Sequence, residues 1–211
     1  MSDRKTYDLA TRLFHWAIAG LFITTVPLGL WAANIGPQNP SPDLRHLRDQ
    51  LLVVHKSIGI LILLLAVPRL IWAMISIRPG HLPGAPAWEW MAAKSTHGLL
   101  YLLMLGLPIT GIYLSQAAGF PVSLFGILQL PRLVEIDPAI PLQSRPEVMM
   151  GVLLHKQIFT ITLYLAFGLH VVGLLKHLII DRDAAAWRRI ALKRRATKGI
   201  PTTVPSNGSR A

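Results

Sequence analysis

The sequence predicts an all-α integral membrane four-helix bundle with both termini in the cytoplasm, on three observations. Four apolar stretches are each long enough to cross a ~30 Å hydrocarbon core at about 1.5 Å per residue. The 211 residues are 52% hydrophobic and only 15% charged, with a mean hydropathy of +0.47, a balance that belongs to the membrane class. Lys and Arg gather on alternating flanks of those stretches. The amino-terminal arm has three, the loop at Arg78 with flanking Arg69 and Lys94 has three, and the segment from Lys176 onward has nine, against two in each of the other connections. The positive-inside bias then sets the orientation.

Each element follows in order. Met1 to Arg12 is a polar arm ahead of the first span, about residues 13–33, with Trp16 and Trp31 suited to the two interfacial belts. This apolar run is long, contains His15 and lacks a small-residue cleavage site, so the first helix is expected to be retained. Asn34 to Asp49, rich in Pro, Asn and Asp, reads as an exposed loop holding His46. The second span, about 50–77, carries His55, Lys56, Gly59, Pro68 and Arg69. A polar linker with His81 leads to the third span, about 91–115, with His97 near its start. The proline-rich connection Gln116 to Pro146 contains an apolar piece, Phe120 to Leu130, too short to span. It is expected at the interface or against the mouth of the bundle. The fourth span, about 149–180, carries His155 and His170. Residues 1–189 thus read as one transmembrane domain and 190–211 as a basic, disordered tail. Most of the formal charge of +11 lies from Lys176 to Arg210, whose expected neighbour is the anionic cytoplasmic leaflet rather than nucleic acid.

The polar groups inside these spans are the informative ones. There are no cysteines, which excludes disulfides, covalent c-type haem and cysteine-held clusters within the chain. His155 and His170 lie fifteen residues apart on one helix, about 22 Å along the axis and about 60° around it. Span direction alone puts His15, His97, His170 and His177 in the cytoplasmic half and His55 and His155 in the outer half. Two depths with histidines on different helices suit two bis-histidine haems stacked in a bundle. The expected pairs are His15 with His170 and His55 with His155. His97 either replaces His15 or lines the inner pocket. Gly20, Gly59, Gly168 and Gly173 either admit a porphyrin or pack helices closely. Arg69, deep in its helix, calls for an anion such as an inner propionate. Lys56 and Lys156 follow the outer histidines and either form a positive rim for propionates or an arriving anion, or snorkel to the interface. His177 either meets a quinone headgroup or snorkels.

The motifs Arg12-Leu13-Phe14-His15-Trp16, His55-Lys56-Ser57-Ile58-Gly59, His97-Gly98-Leu99-Leu100-Tyr101, Leu107-Pro108-Ile109-Thr110-Gly111, His155-Lys156 and Gly168-Leu169-His170 resemble those of the bacterial cytochrome b561 family, over about Tyr7 to Arg189. The resemblance implies two haem b groups held by His15, His55, His155 and His170. It also implies ubiquinone as electron partner, with His177 near its site, and residence in the bacterial inner membrane. Some members resemble superoxide oxidases, in which Lys56 and Lys156 would suit attraction of the anion. The long connection from Gln116 to Pro146 departs from the family pattern and leaves the outer partner open between superoxide and a periplasmic redox protein.

Three functions follow from these readings. The first is an oxidoreductase moving electrons between a periplasmic donor and quinone. The second is a cytochrome b anchor subunit of a larger dehydrogenase or hydrogenase. The third is a haem-free transporter using histidines as proton relays.

Overall fold

The computed structural model describes residues 7–76 and 86–182, together with Trp187, Ala191 and Leu192. His81, the arm before Tyr7 and the tail beyond Leu192 lie outside the described residues. Four helices are long and apolar enough to cross a membrane: α1 Leu9–Ile35, α2 Pro42–Ile75, α3 Ala87–Ala117 and α4 Pro146–Ile180. They run alternately up and down. One end of the bundle, the terminal end, holds the start of α1 and the end of α4. The other, the hairpin end, holds the connection between α3 and α4.

Capping explains why the helices begin before their apolar runs do. The Asp8 carboxylate accepts from the Thr11 amide at 2.8 Å and closes the first turn of α1. The same oxygen accepts from Trp72 Nε1 at 3.0 Å, tying the start of α1 to the end of α2. Burial alone would raise the Asp8 pKa, but the hydrogen bonds from Thr11 and Trp72 outweigh it and hold the carboxyl below its ordinary value. At α2, Ser41 caps the Leu44 amide, Pro42 occupies the first turn and Asp43 suits the helix dipole. The expected loop Asn34–Asp49 is therefore mostly helix, and the connection shrinks to about Gly36–Ser41. His46 is exposed, as a solvated residue should be, but on α2, where Gln50 Nε2 meets its Nε2 at 3.0 Å.

Helices α1 and α2, α2 and α3, and α3 and α4 pack as neighbours, while α1 and α4 share few close backbone approaches. One apolar cluster joins Ile18 of α1, Ile58, Ile62 and Ala66 of α2 and Met104 of α3. A second joins Leu103 and Leu107 of α3 to Leu163 and Ala166 of α4, with Phe22 and Val26 of α1 against it. The α3–α4 crossing is tight at Gly151, where a Cβ would stand 2.9 Å from the Leu114 Cα. Large apolar residues elsewhere face outward, among them Ile23 at 60% and Leu165 at 66% exposure. Such surface suits lipid and not water.

Two features differ from the sequence reading. The piece Phe120–Leu130 forms an antiparallel hairpin, β1 Ser123–Leu124 with β2 Leu128–Gln129. Its turn has φ +50° at Phe125 and +76° at Gly126. The Phe125 amide donates to Ser57 Oγ at 2.7 Å, and that hydroxyl donates to Val53 O at 2.7 Å. Ser57 is fully buried, so the hairpin is fastened to α2 against the mouth of the bundle. Helix α4 is also irregular. Val152–Phe159 and Lys176–Ile180 make π-type i→i+5 bonds, on either side of α-helical Thr160–Leu175. A π turn takes in an extra residue, so the rotation of about 60° between His155 and His170, which assumes a uniform α-helix, does not hold.

Replacing Asp8 with Ala should cost about 1 kcal/mol at neutral pH through the lost cap. The Asp8 carboxyl is depressed, so its contribution is present above the ordinary carboxylate pKa and fades as pH falls through the folded value. Denaturation of the purified protein against pH should show the variant converging on wild type in acid. Gly151→Ala should cost about 1–3 kcal/mol by overpacking against Leu114. The outward-facing Gly98→Ala, where a Cβ meets no atom within 4 Å, should not destabilise the protein in the same assay.

Candidate functional site

The bundle brings two histidine pairs together, one near each end. His55 of α2 and His155 of α4 have ring centroids 6.2 Å apart, with planes at 83°. His15 of α1 and His170 of α4 are also 6.2 Å apart, with planes at 47°. A metal–imidazole bond of about 2.0–2.1 Å on each side, added to the ring radius, separates two trans-coordinating rings by roughly 6 Å between centroids. Both pairs meet that requirement. His97 of α3 lies 5.1 Å from His170, planes at 85°, too close for the two rings to bind one iron in trans.

The rings at the hairpin end are held in the same way from two different helices. His55 Nδ1 lies 2.8 Å from the Thr25 carbonyl and 3.1 Å from the Thr25 hydroxyl. His155 Nδ1 lies 2.9 Å from the Leu107 carbonyl and 3.3 Å from the Thr110 hydroxyl. A carbonyl only accepts, so each Nδ1 carries the proton and each Nε2 keeps its lone pair. Four residues after each carbonyl stands a glycine against the ring. A Cβ on Gly29 would be 2.7 Å from His55 Cε1, and one on Gly111 would be 2.9 Å from His155 Cε1. Pro27 and Pro108 lie between carbonyl and glycine. Proline removes a backbone donor and loosens the local turn, which α-helices in lipid tolerate when neighbours satisfy the freed groups. His155 itself stands in the π segment, a kind of irregularity common at functional sites.

At the terminal end, His15 packs edge-on to Trp16 at 5.2 Å, and Trp16 meets Trp187 at 5.7 Å. Arg12, buried, donates to the Ala191 carbonyl at 2.8 Å and draws the chain after α4 towards α1. The Arg69 guanidinium lies over the Tyr101 ring at 5.5 Å, and no carboxylate pairs with it among the described residues.

The sequence model of the prokaryotic cytochrome b561 family matches residues 6–191. The chain belongs to this family. Its relatives include cytochrome b561 homolog 2 of Escherichia coli (strain K12), 34% identical over 131 residues, which are 60% of this chain and 64% of that protein. Cytochrome b561 homolog 1 of the same organism is 36% identical over 72 residues, 34% of this chain and 41% of its own length. The matched part thus spans less than two thirds of either curated relative. Members of this family are membrane cytochromes that bind haem b, and four apolar spans with bacterial homologues make the protein a multi-pass inner-membrane protein.

The residues of this cytochrome fit that group. Imidazole suits haem iron, and at His55 and His155 the unprotonated Nε2 atoms are the donors that bis-histidine ligation needs. Gly20, Gly59, Gly168 and Gly173 do not pack helices closely, since a Cβ on each would meet no atom within 4 Å. The glycines in tight contact are instead Gly29, Gly111, Gly106 and Gly151. Sequence reasoning passed over Gly29, Thr25 and Thr110 as ring-holding residues. The signal was present as proline followed within three residues by glycine, inside an apolar helix and beside a threonine.

The remaining candidates are placed as follows. Lys56 Nζ reaches the Pro121 carbonyl at 3.4 Å and the Phe120 ring at 5.7 Å, so it is engaged with the hairpin. Lys156 is exposed, and no described contact joins it to Lys56. His177 Nδ1 lies 2.8 Å from Asp181, whose carboxylate also meets Lys176 Nζ at 2.9 Å. Lys176 Nζ bonds Glu89 of α3 at 2.9 Å too. Hydrogen bonding from Lys176, and then from His177, lowers the Asp181 pKa. Ligand atoms of Glu89, His177 and Asp181 come within 4.8 Å of one another, but the Lys176 ammonium, at 2.9 Å from both carboxylates, already takes the place of a cation.

Gly111→Ala would push the His155 ring from its seat, at an overpacking cost of about 1–3 kcal/mol. The expected outcome is less haem bound per chain by pyridine haemochrome, with Gly98→Ala unchanged.

Proposed function

We propose that the protein is a di-haem b-type cytochrome carrying electrons across the inner membrane between an outer-face donor and ubiquinone. His15 with His170 would hold one haem and His55 with His155 the other. The terminal end is cytoplasmic and the hairpin end periplasmic, as the distribution of Lys and Arg favours. Residues 1–189 form the membrane domain, and the basic tail from 190 lies along the anionic leaflet. The observation that carries this reading is the shared 6.2 Å separation of two opposed imidazole pairs near opposite ends of one bundle.

Haem iron supplies a one-electron couple. Two histidines of the chain would hold each haem, a donor set that favours electron transfer over oxygen binding. Carbonyls of Thr25 and Leu107 fix tautomer and ring plane at the outer pair. Arg69, which no carboxylate pairs with among the described residues, would balance an inner propionate. The donor suggested by the family is superoxide. Two superoxide anions would become dioxygen while one quinone takes up two electrons and two protons to become quinol. The exposed Lys156 ammonium, more than the engaged Lys56, would attract the anion. His177, hydrogen-bonded to Asp181, would meet the quinone headgroup at the inner end.

One observation favours the second reading, an anchor subunit of a larger complex. The outer connection exposes Ile127 at 89% and Leu133 at 78%, a surface that a partner subunit would cover.

The test begins with a reduced-minus-oxidised spectrum and a haem count on the purified chain. Two low-spin b haems are expected. His55→Ala and His155→Ala should each remove one haem, and His15→Ala and His170→Ala the other; loss of the same haem from His55→Ala and His170→Ala would refute the pairing. Quinone reduction by superoxide with the purified chain alone supports the enzyme, and a requirement for a second subunit supports the anchor.

A further inference from the structure

The two histidine pairs are supported differently. Both rings of the His55–His155 pair have Nδ1 against a backbone carbonyl of a neighbouring helix. Among the described residues, neither His15 nor His170 has a hydrogen bond of that kind. What α3 brings to His170 instead is a third imidazole. The His97 ring meets His170 edge to face, centroids 5.1 Å apart and planes at 85°. His97 is itself fixed, because its Nδ1 lies 2.6 Å from the Ala93 carbonyl one turn earlier. That nitrogen therefore carries the proton, and the ring cannot swing about χ2 without losing the bond. An iron between His97 and His170 would need roughly 6 Å between centroids, so the pair does not ligate in trans.

We infer that His97 is the positioning residue of the His15–His170 site. Its ring, held by Ala93, sets the plane of His170 by edge-to-face contact, the task that carbonyl hydrogen bonds perform at the other pair. Ring orientation and the electrostatics around an axial imidazole tune the potential of the iron it holds. His97 thereby separates the properties of two haems whose direct ligands are chemically identical. This inference rests on the di-haem reading above.

The experiment uses the full chain with haem bound, as wild type, His97→Ala and His97→Phe. Low-temperature EPR reports ligand-plane geometry, and a spectroscopic redox titration reports each midpoint. The expected result for His97→Ala is two haems per chain, with one low-spin signal and one midpoint displaced and the other pair unchanged. His97→Phe, which keeps a ring edge against His170, should return the displaced EPR signal towards wild type. Loss of one haem from both variants would make His97 a ligand, and unchanged signals and midpoints would leave it no role; either overturns the inference. A wild-type chain without two low-spin haems would remove the underlying reading, an outcome seen before any variant is compared.

Discussion

An imidazole inside a bilayer must be given a partner on each nitrogen, and the rest of this structure is arranged to meet that demand. Water is not at hand to satisfy either atom, and an unpaired polar group in hydrocarbon costs several kcal/mol. The chain satisfies one nitrogen of His55 and one of His155 from helix backbone. That backbone can receive a ring only where a side chain is missing, hence Gly29 and Gly111. Pro27 and Pro108, each lacking an amide donor, stand between the carbonyl and the glycine in otherwise regular α1 and α3. Features that read singly as helix defects are together a socket for a ring.

The polar ends of the bundle work on the same economy. Asp8 joins the start of α1 to Trp72 of α2, and Lys176 joins the end of α4 to Glu89 of α3. Both ties lie at the terminal end. At the other end the ties come from Ser57 to the hairpin and from Gln116 to Pro131 and Leu133. Lateral packing between helices in lipid lacks a strong hydrophobic drive, so such end contacts and close crossings like that at Gly151 matter for register.

Much of this was legible in the sequence, and the gaps have physical causes. Hydropathy and length revealed all four spans, because the cost of polar groups in lipid forces long uninterrupted apolar runs. It revealed helix starts poorly. Capping by Asp8 and by Ser41-Pro42-Asp43 extends α1 and α2 into polar sequence, where hydropathy is silent. The depths of the histidines followed from span direction, and so the structure finds His15 beside His170 and His55 beside His155. Which atoms hold those rings did not follow, because a carbonyl has no residue-type signature. The hairpin was hidden in an apolar piece whose only turn signal is Gly126, with a non-glycine residue at positive φ beside it. The π segments were hidden altogether, since no local composition marks an i→i+5 bond.

The π segment at Val152–Phe159 carries an evolutionary consequence. A helix stretch with i→i+5 bonds stores one more residue than the same length of α-helix. Removing a residue there would let the stretch relax to α geometry while the flanking turns keep their phase. A deletion between His155 and Phe159 would leave His155 and His170 fourteen positions apart instead of fifteen. The segment is thus a point in the fourth helix where removal of one residue can be absorbed geometrically, as Lys176–Ile180 is another.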